Sequence, residues 1–137
     1  MTAAAQVLRT GEPQAQVRLA LRLDAVATAA VGVLAAAGAG VLDGALGVPA
    51  PVLLGLGALL VAYAVGVGLV SRTLPVTTVG TGAVIALNAA WVLGSLVAAV
   101  VTEGLTALGT AAVVVQALAV AMLAEVQLVT LRRYLRA

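Results

Sequence analysis

The sequence predicts an all-α fold: a transmembrane four-helix bundle with its N- and C-termini on the cytoplasmic side. Three observations carry this reading. Four apolar runs are each long enough to cross a bilayer. Charge is almost confined to the segments outside them. Every arginine falls on alternate connections. Of the 137 residues, 64% are hydrophobic and 9% are charged, where a soluble domain carries about 25% charged residues. Mean hydropathy is +1.22, and so little polar surface cannot coat a soluble core.

A hydrocarbon core of about 30 Å takes about 20 apolar residues in a helix. The runs 23–42, 52–70, 76–101 and 105–131 meet that length. Asp43, Gly44, Gly47, Pro49 and Pro51 separate the first two; proline at a helix start costs little, because that N–H has no helical partner. Ser71, Arg72, Thr73 and Pro75 separate the second and third, with Thr73 the expected N-cap. Thr102, Glu103 and Gly104 separate the third and fourth. So short a turn makes those two spans antiparallel neighbours. It also sets Glu103 beside the positive end of the fourth helix.

Residues 1–16 read as a polar cytoplasmic tail carrying Gln6, Thr10, Gly11, Glu12, Pro13, Gln14 and Gln16. The membrane domain is expected over 17–137, where Arg18 and Arg22, four apart, suggest a helical lead-in. A secretory leader is the other reading of the first run. The run exceeds the usual apolar stretch of about 7–15 residues, and a second apolar span follows it.

Absent residues bound the chemistry. The chain has no Cys, His, Lys or Phe. Disulfides, thiolate catalysis, Schiff-base chemistry, a P-loop lysine and the commonest metal ligand are excluded. No catalytic residue, metal or cofactor is expected. The pI of about 9.9 reflects seven arginines against five acids. Without a dense basic patch interleaved with aromatics, nucleic acid is not a partner; the lipid bilayer is.

Small residues drive helix association in lipid. The first span repeats Thr28, Gly32, Ala36, Gly40 and Gly44, and the second Ala58, Ala62 and Gly66, each four apart. These are the expected seams. The third span sets Thr81, Asn88, Ser95 and Thr102 seven apart, hence on one face. On the fourth, Gly109, Ala112, Gln116, Ala119 and Leu123 share a face. The two faces are expected to meet, with Asn88 bonding Gln116.

At 1.5 Å per residue, Asn88 lies about 20 Å inside Val101, Trp91 about 15 Å, Gln116 about 17 Å from Leu105 and Tyr63 about 17 Å from Val52. Tyr63, Asn88, Trp91 and Gln116 therefore form one mid-membrane layer, either a ligand-binding site or an interhelical clamp. Asp24 and Glu125 fall near the inner ends of spans that are long enough without them. They are expected in inner-interface ion pairs with Arg22 and Arg132; the sharper alternative is a proton or cation site.

The stretches Asn88-Ala89-Ala90-Trp91, Ala124-Glu125-Val126-Gln127 and Leu131-Arg132-Arg133 resemble a pattern in small, uncharacterised four-pass bacterial integral membrane proteins. The resemblance covers the last two spans and implies no activity. The size is also similar to that of small multidrug resistance transporters, which rely on a membrane-embedded glutamate in the first helix. Here the first span offers only Asp24.

These readings favour a structural or accessory membrane subunit, assembling as a homo-oligomer or within a larger complex, and not an enzyme. The alternative is a small binder or transporter of a lipophilic ligand, lipid or quinone.

Arg9, Arg18 and Arg22 precede the first span, Arg72 lies between the second and third, and Arg132, Arg133 and Arg136 end the chain. The positive-inside rule puts all seven in the cytoplasm. A single cysteine at position 72 is expected to react with an impermeant maleimide only in inverted vesicles; labelling in right-side-out vesicles would overturn this topology.

Overall fold

The computed structural model describes residues 2–3 and 11–137. From Pro13 onward the described residues form five helices and no strand: α1 (Pro13–Ala37), α2 (Ala39–Leu46), α3 (Ala50–Val70), α4 (Thr78–Val101) and α5 (Ala107–Arg136). Four of them, α1, α3, α4 and α5, are long and apolar enough to cross a membrane. The 21 residues of α3 make a helix of about 32 Å, close to the apolar thickness of a bilayer. The protein is a multi-pass membrane protein.

The helices start where local chemistry allows. Glu12 and Pro49 precede the proline-bearing first turns of α1 and α3. Thr77 caps α4, its hydroxyl accepting the N–H of Gly80 at 3.1 Å, and Thr106 caps α5 by accepting from Gly109 at 2.9 Å. The expected cap, Thr73, instead braces the turn. Its hydroxyl donates to the carbonyl of Val70 at 2.9 Å and accepts the N–H of Thr77 at 2.9 Å.

The first crossing is interrupted at Gly38, which separates α1 from α2. The hydrogen-bond ladder carries across the break: Gly38 N–H donates to Leu34, and Leu42 N–H donates to Gly38 at 2.8 Å. The polar tail expected over 1–16 is shorter than its composition suggested. Residues 13–16 are helical, Gln16 is buried, and Gln14 Oε1 accepts the N–H of Val76 at 2.9 Å. Gln6, Arg9 and Thr10 lie outside the described residues.

Helix α1 is the hub. It packs most closely on α3 and also lies against α5, while α4 pairs with α5. Helices α3 and α4, though consecutive, scarcely approach each other. The α1/α3 seam runs through Gly32 and Ala36 against Gly57. A Cβ on Gly57 would sit 2.5 Å from the Gly32 carbonyl and 2.7 Å from the Ala36 nitrogen. The first-span stripe is thus half correct, since Gly40 and Gly44 face open space. The second is in the wrong phase. Ala58, Ala62 and Gly66 are exposed, and Leu53, Gly57, Ala64 and Val67 are buried. Alanine and glycine are frequent enough here to supply a stripe on either face; the inward one also carries the bulky Leu53 and Val67 that must fill space.

Both ends are fastened. At the arginine-rich end Val17, Leu21, Val67, Val76 and Val84 form an apolar cluster, and Arg18 donates to the Thr73 carbonyl at 2.9 Å. At the opposite end Thr106 donates from its N–H to Leu46 at 3.1 Å and from its hydroxyl to Ala45 at 2.6 Å. These bonds satisfy carbonyls that the end of α2 leaves open. Gly47 there has φ +71°, a conformation that disfavours any side chain, and a Cβ would strike the Gly104 carbonyl.

The seam makes a direct comparison possible. Gly57→Ala is expected to destabilise the bundle by about 1–3 kcal/mol, because backbone and not a flexible side chain must yield. Gly66→Ala is expected to be neutral or to gain up to about 1 kcal/mol of helix propensity. Steric-trap unfolding in bicelles measures both; equal effects would contradict the seam.

Candidate functional site

Asp24 lies on the inward stripe of α1 with Val17, Leu21 and Gly32, and is wholly buried. Its Oδ1 accepts the hydroxyl of Thr28, one turn on, at 2.9 Å. Its Oδ2 accepts Nδ2 of Asn88 at 2.8 Å and Nε2 of Gln127 at 2.7 Å. Asn88 Nδ2 also donates to Gln127 Oε1 at 3.0 Å, and Tyr63 donates its phenol to Asn88 Oδ1 at 3.0 Å. One carboxylate thereby joins α1 to α4 and α5, and Asn88 extends the network to α3. Among the described residues no buried side-chain nitrogen or oxygen lacks a partner, as a site without water requires.

The depth of this network follows from helix rise. Asn88 is ten residues from Thr78, so it lies about 15 Å inside the arginine-rich end of α4. The expected interfacial ion pairs are therefore corrected. Arg22 is two residues from Asp24, about 200° around the helix, and is exposed while Asp24 is buried. The same offset separates Glu125, exposed, from Gln127, buried. Arg132 is exposed and lies two turns, about 10 Å of helix rise, from Glu125. Asp24 pairs with amides and a hydroxyl, not with an arginine.

A second polar group lies farther along α4. Trp91 Nε1 donates to Gln116 Oε1 at 2.9 Å, and Gln116 Nε2 donates to Ser95 Oγ at 2.9 Å and to the Val113 carbonyl at 3.0 Å. The α4 and α5 faces do meet, and Thr81, Asn88 and Ser95 are buried as their spacing predicts, with Thr102 left exposed at the helix end. The expected bond between Asn88 and Gln116 does not form, because each has a nearer partner set of its own. On α5 the buried residues include Gly109, Ala117 and Gln127, and Ala112 points outward.

Between the two polar groups lies a cavity of about 270 Å³. All four helices line it. Thr28, Tyr63 and Asn88 form one polar side and Trp91 and Gln116 another; Val31, Leu59, Leu60, Leu87, Val120 and Leu123 supply apolar walls. The layer of Tyr63, Asn88, Trp91 and Gln116 expected from depth alone thus surrounds a single hollow. Leu59 and Leu87 are both more than half exposed. They stand on α3 and α4, whose backbones stay apart and which meet through the side chains of Tyr63 and Val67, so the hollow opens sideways between those helices.

Comparison with protein families, curated proteins and solved structures finds no match.

Two network members, Thr28 and Gln127, were not among the expected site residues. The signals were present. Thr28 is one turn from Asp24, and Gln127 is eleven residues from Gln116, three turns and hence the same face. Among the described residues no three His, Cys, Asp or Glu come together to hold a metal ion.

Removing the shared acceptor should be costly. Asp24→Ala removes the acceptor of Gln127 Nε2, of one Asn88 N–H and of the half-buried Thr28 hydroxyl and is expected to lose about 1–3 kcal/mol in reversible unfolding, against less than about 0.5 kcal/mol for Glu125→Gln on the exposed face. The opposite ranking would return Asp24 to an interfacial role.

Proposed function

We propose that this protein binds a small lipophilic molecule within the bilayer, in the cavity between its four spans. The reading includes a bacterial inner membrane, with the arginine-rich end and both termini in the cytoplasm, and no catalytic role. The observation that carries it is the hollow itself: apolar walls with a few convergent polar groups, at membrane depth. That is the usual composition of a small-molecule site.

The size sets the ligand class. A cavity of 150 Å³ accommodates benzene; by proportion, about 270 Å³ holds about 11 non-hydrogen atoms. A bicyclic compound or the head of a larger amphiphile fits, with any tail leaving between α3 and α4 into lipid.

Trp91, the chain's one tryptophan, lines the cavity and reports on it. Bicyclic lipophiles are expected to change its fluorescence saturably, and Ala119→Phe, which fills the cavity, should abolish the response. No saturable change across such compounds would reject the binding reading.

A further inference from the structure

The polar groups around the cavity divide unevenly into donors and acceptors. Five polar side chains line it: Thr28, Tyr63, Asn88, Trp91 and Gln116. Their donors are all engaged. The Thr28 hydroxyl donates to Asp24, the two Nδ2 hydrogens of Asn88 go to Asp24 and Gln127, and the Tyr63 phenol donates to Asn88 Oδ1. The Trp91 indole N–H goes to Gln116 Oε1, and the two Nε2 hydrogens of Gln116 go to Ser95 Oγ and the Val113 carbonyl. None of the lining residues is charged. The hollow therefore has no free side-chain donor to offer a ligand.

Acceptor capacity is left over, and Gln116 holds it on the side of the hollow it shares with Trp91. An indole has a donor and no acceptor, so Trp91 holds the Gln116 amide with its oxygen toward the indole and its nitrogen toward Ser95 and Val113. An amide oxygen has two lone-pair sites, and Gln116 Oε1 accepts one hydrogen bond. One site stays open. A hydroxyl or N–H dissolved in lipid hydrocarbon finds no acceptor there, so an open carbonyl favours a ligand that brings a donor. A ligand with acceptors only would set one lone pair against another and leave both without a partner.

We propose that the cavity recognises a neutral lipophile carrying a hydrogen-bond donor, of the phenol or aromatic N–H class. Its donor hydrogen goes to Gln116 Oε1, and its rings lie against Leu59, Leu87, Val120 and Leu123. A quinone, which has acceptors only, falls outside this class. The inference rests on the binding reading above and adds the hydrogen-bonding sense of the ligand.

Three probes of near-equal size test it: 2-naphthol, 2-naphthaldehyde and 2-methylnaphthalene. Each is radiolabelled and measured by equilibrium binding to the full chain in phosphatidylcholine nanodiscs, with empty nanodiscs subtracted and affinities expressed against the concentration in lipid. The naphthol is expected to bind at least about threefold more tightly than either of the others. Gln116→Leu removes the carbonyl and leaves the Trp91 N–H without its acceptor, so the order should invert, with the aldehyde binding more tightly than the naphthol. Equal binding of naphthol and methylnaphthalene by the unaltered protein overturns donor recognition and leaves an apolar cavity; tighter binding of the aldehyde overturns it by showing an open donor. A naphthol preference that persists in folded Gln116→Leu overturns the role of Gln116. Saturable binding of none of the three overturns the binding reading itself. Should Gln116→Leu fail to fold, the ranking in the unaltered protein still decides between donor recognition and an apolar cavity.

Discussion

A bilayer offers no hydrogen bonds, so every polar group at its depth must find a partner within the protein. The interior of this bundle is organised around that constraint acting on one carboxylate. Asp24 cannot turn toward water without leaving the inward face of α1, and its oxygens are met by donors from α4 and α5. Asn88 is held in turn by the phenol of Tyr63 on α3. Helix register is therefore set twice: by the Gly57 seam, which admits α1 and α3 at one phase, and by the Asp24 network, which admits α1, α4 and α5 at one phase.

The cavity follows from the same geometry. Close approach at Gly32 and Gly57 draws α3 toward α1, and the short turn between α4 and α5 holds those two together. Apolar packing of Val67, Val76 and Val84 gathers the helices at the arginine-rich end. With α3 committed to α1 and α4 to α5, the space between α3 and α4 is left incompletely filled. Trp91 and Tyr63 stand at its margin with their polar atoms already bonded, presenting ring surface to whatever occupies it. Rigid polar groups holding aromatic faces around a hollow is a preorganised arrangement, which lowers the entropy lost on binding.

The spans could be read from hydropathy and length, and so could the buried face of α4, because Thr81, Asn88 and Ser95 repeat at a helical interval. That Tyr63, Asn88, Trp91 and Gln116 fall at one level along their helices, where they line one hollow, follows from helix rise alone. Two things were not legible. The α3 seam was misplaced because small residues occur on both of its faces, and only the fit of Leu53 and Val67 against the partner separates the faces. The position of Asp24 was misplaced because a span of apolar residues long enough without it permits an interfacial location equally well. What decides the matter is a set of donors 64 and 103 residues away, and no local pattern around Asp24 encodes them.

Asn88 is the chain's one asparagine, so selective ¹⁵N-asparagine labelling yields a single side-chain amide resonance pair from the centre of the network. Its exchange with D₂O, followed by NMR in nanodiscs, tests most directly whether Asp24, Asn88 and Gln127 form one closed, water-free cluster. Two well-separated proton resonances are expected, persisting for hours after transfer. Collapse of the pair within the dead time of mixing would mean that water reaches Asn88, and with it that Asp24 is solvated and not the organising contact of the bundle.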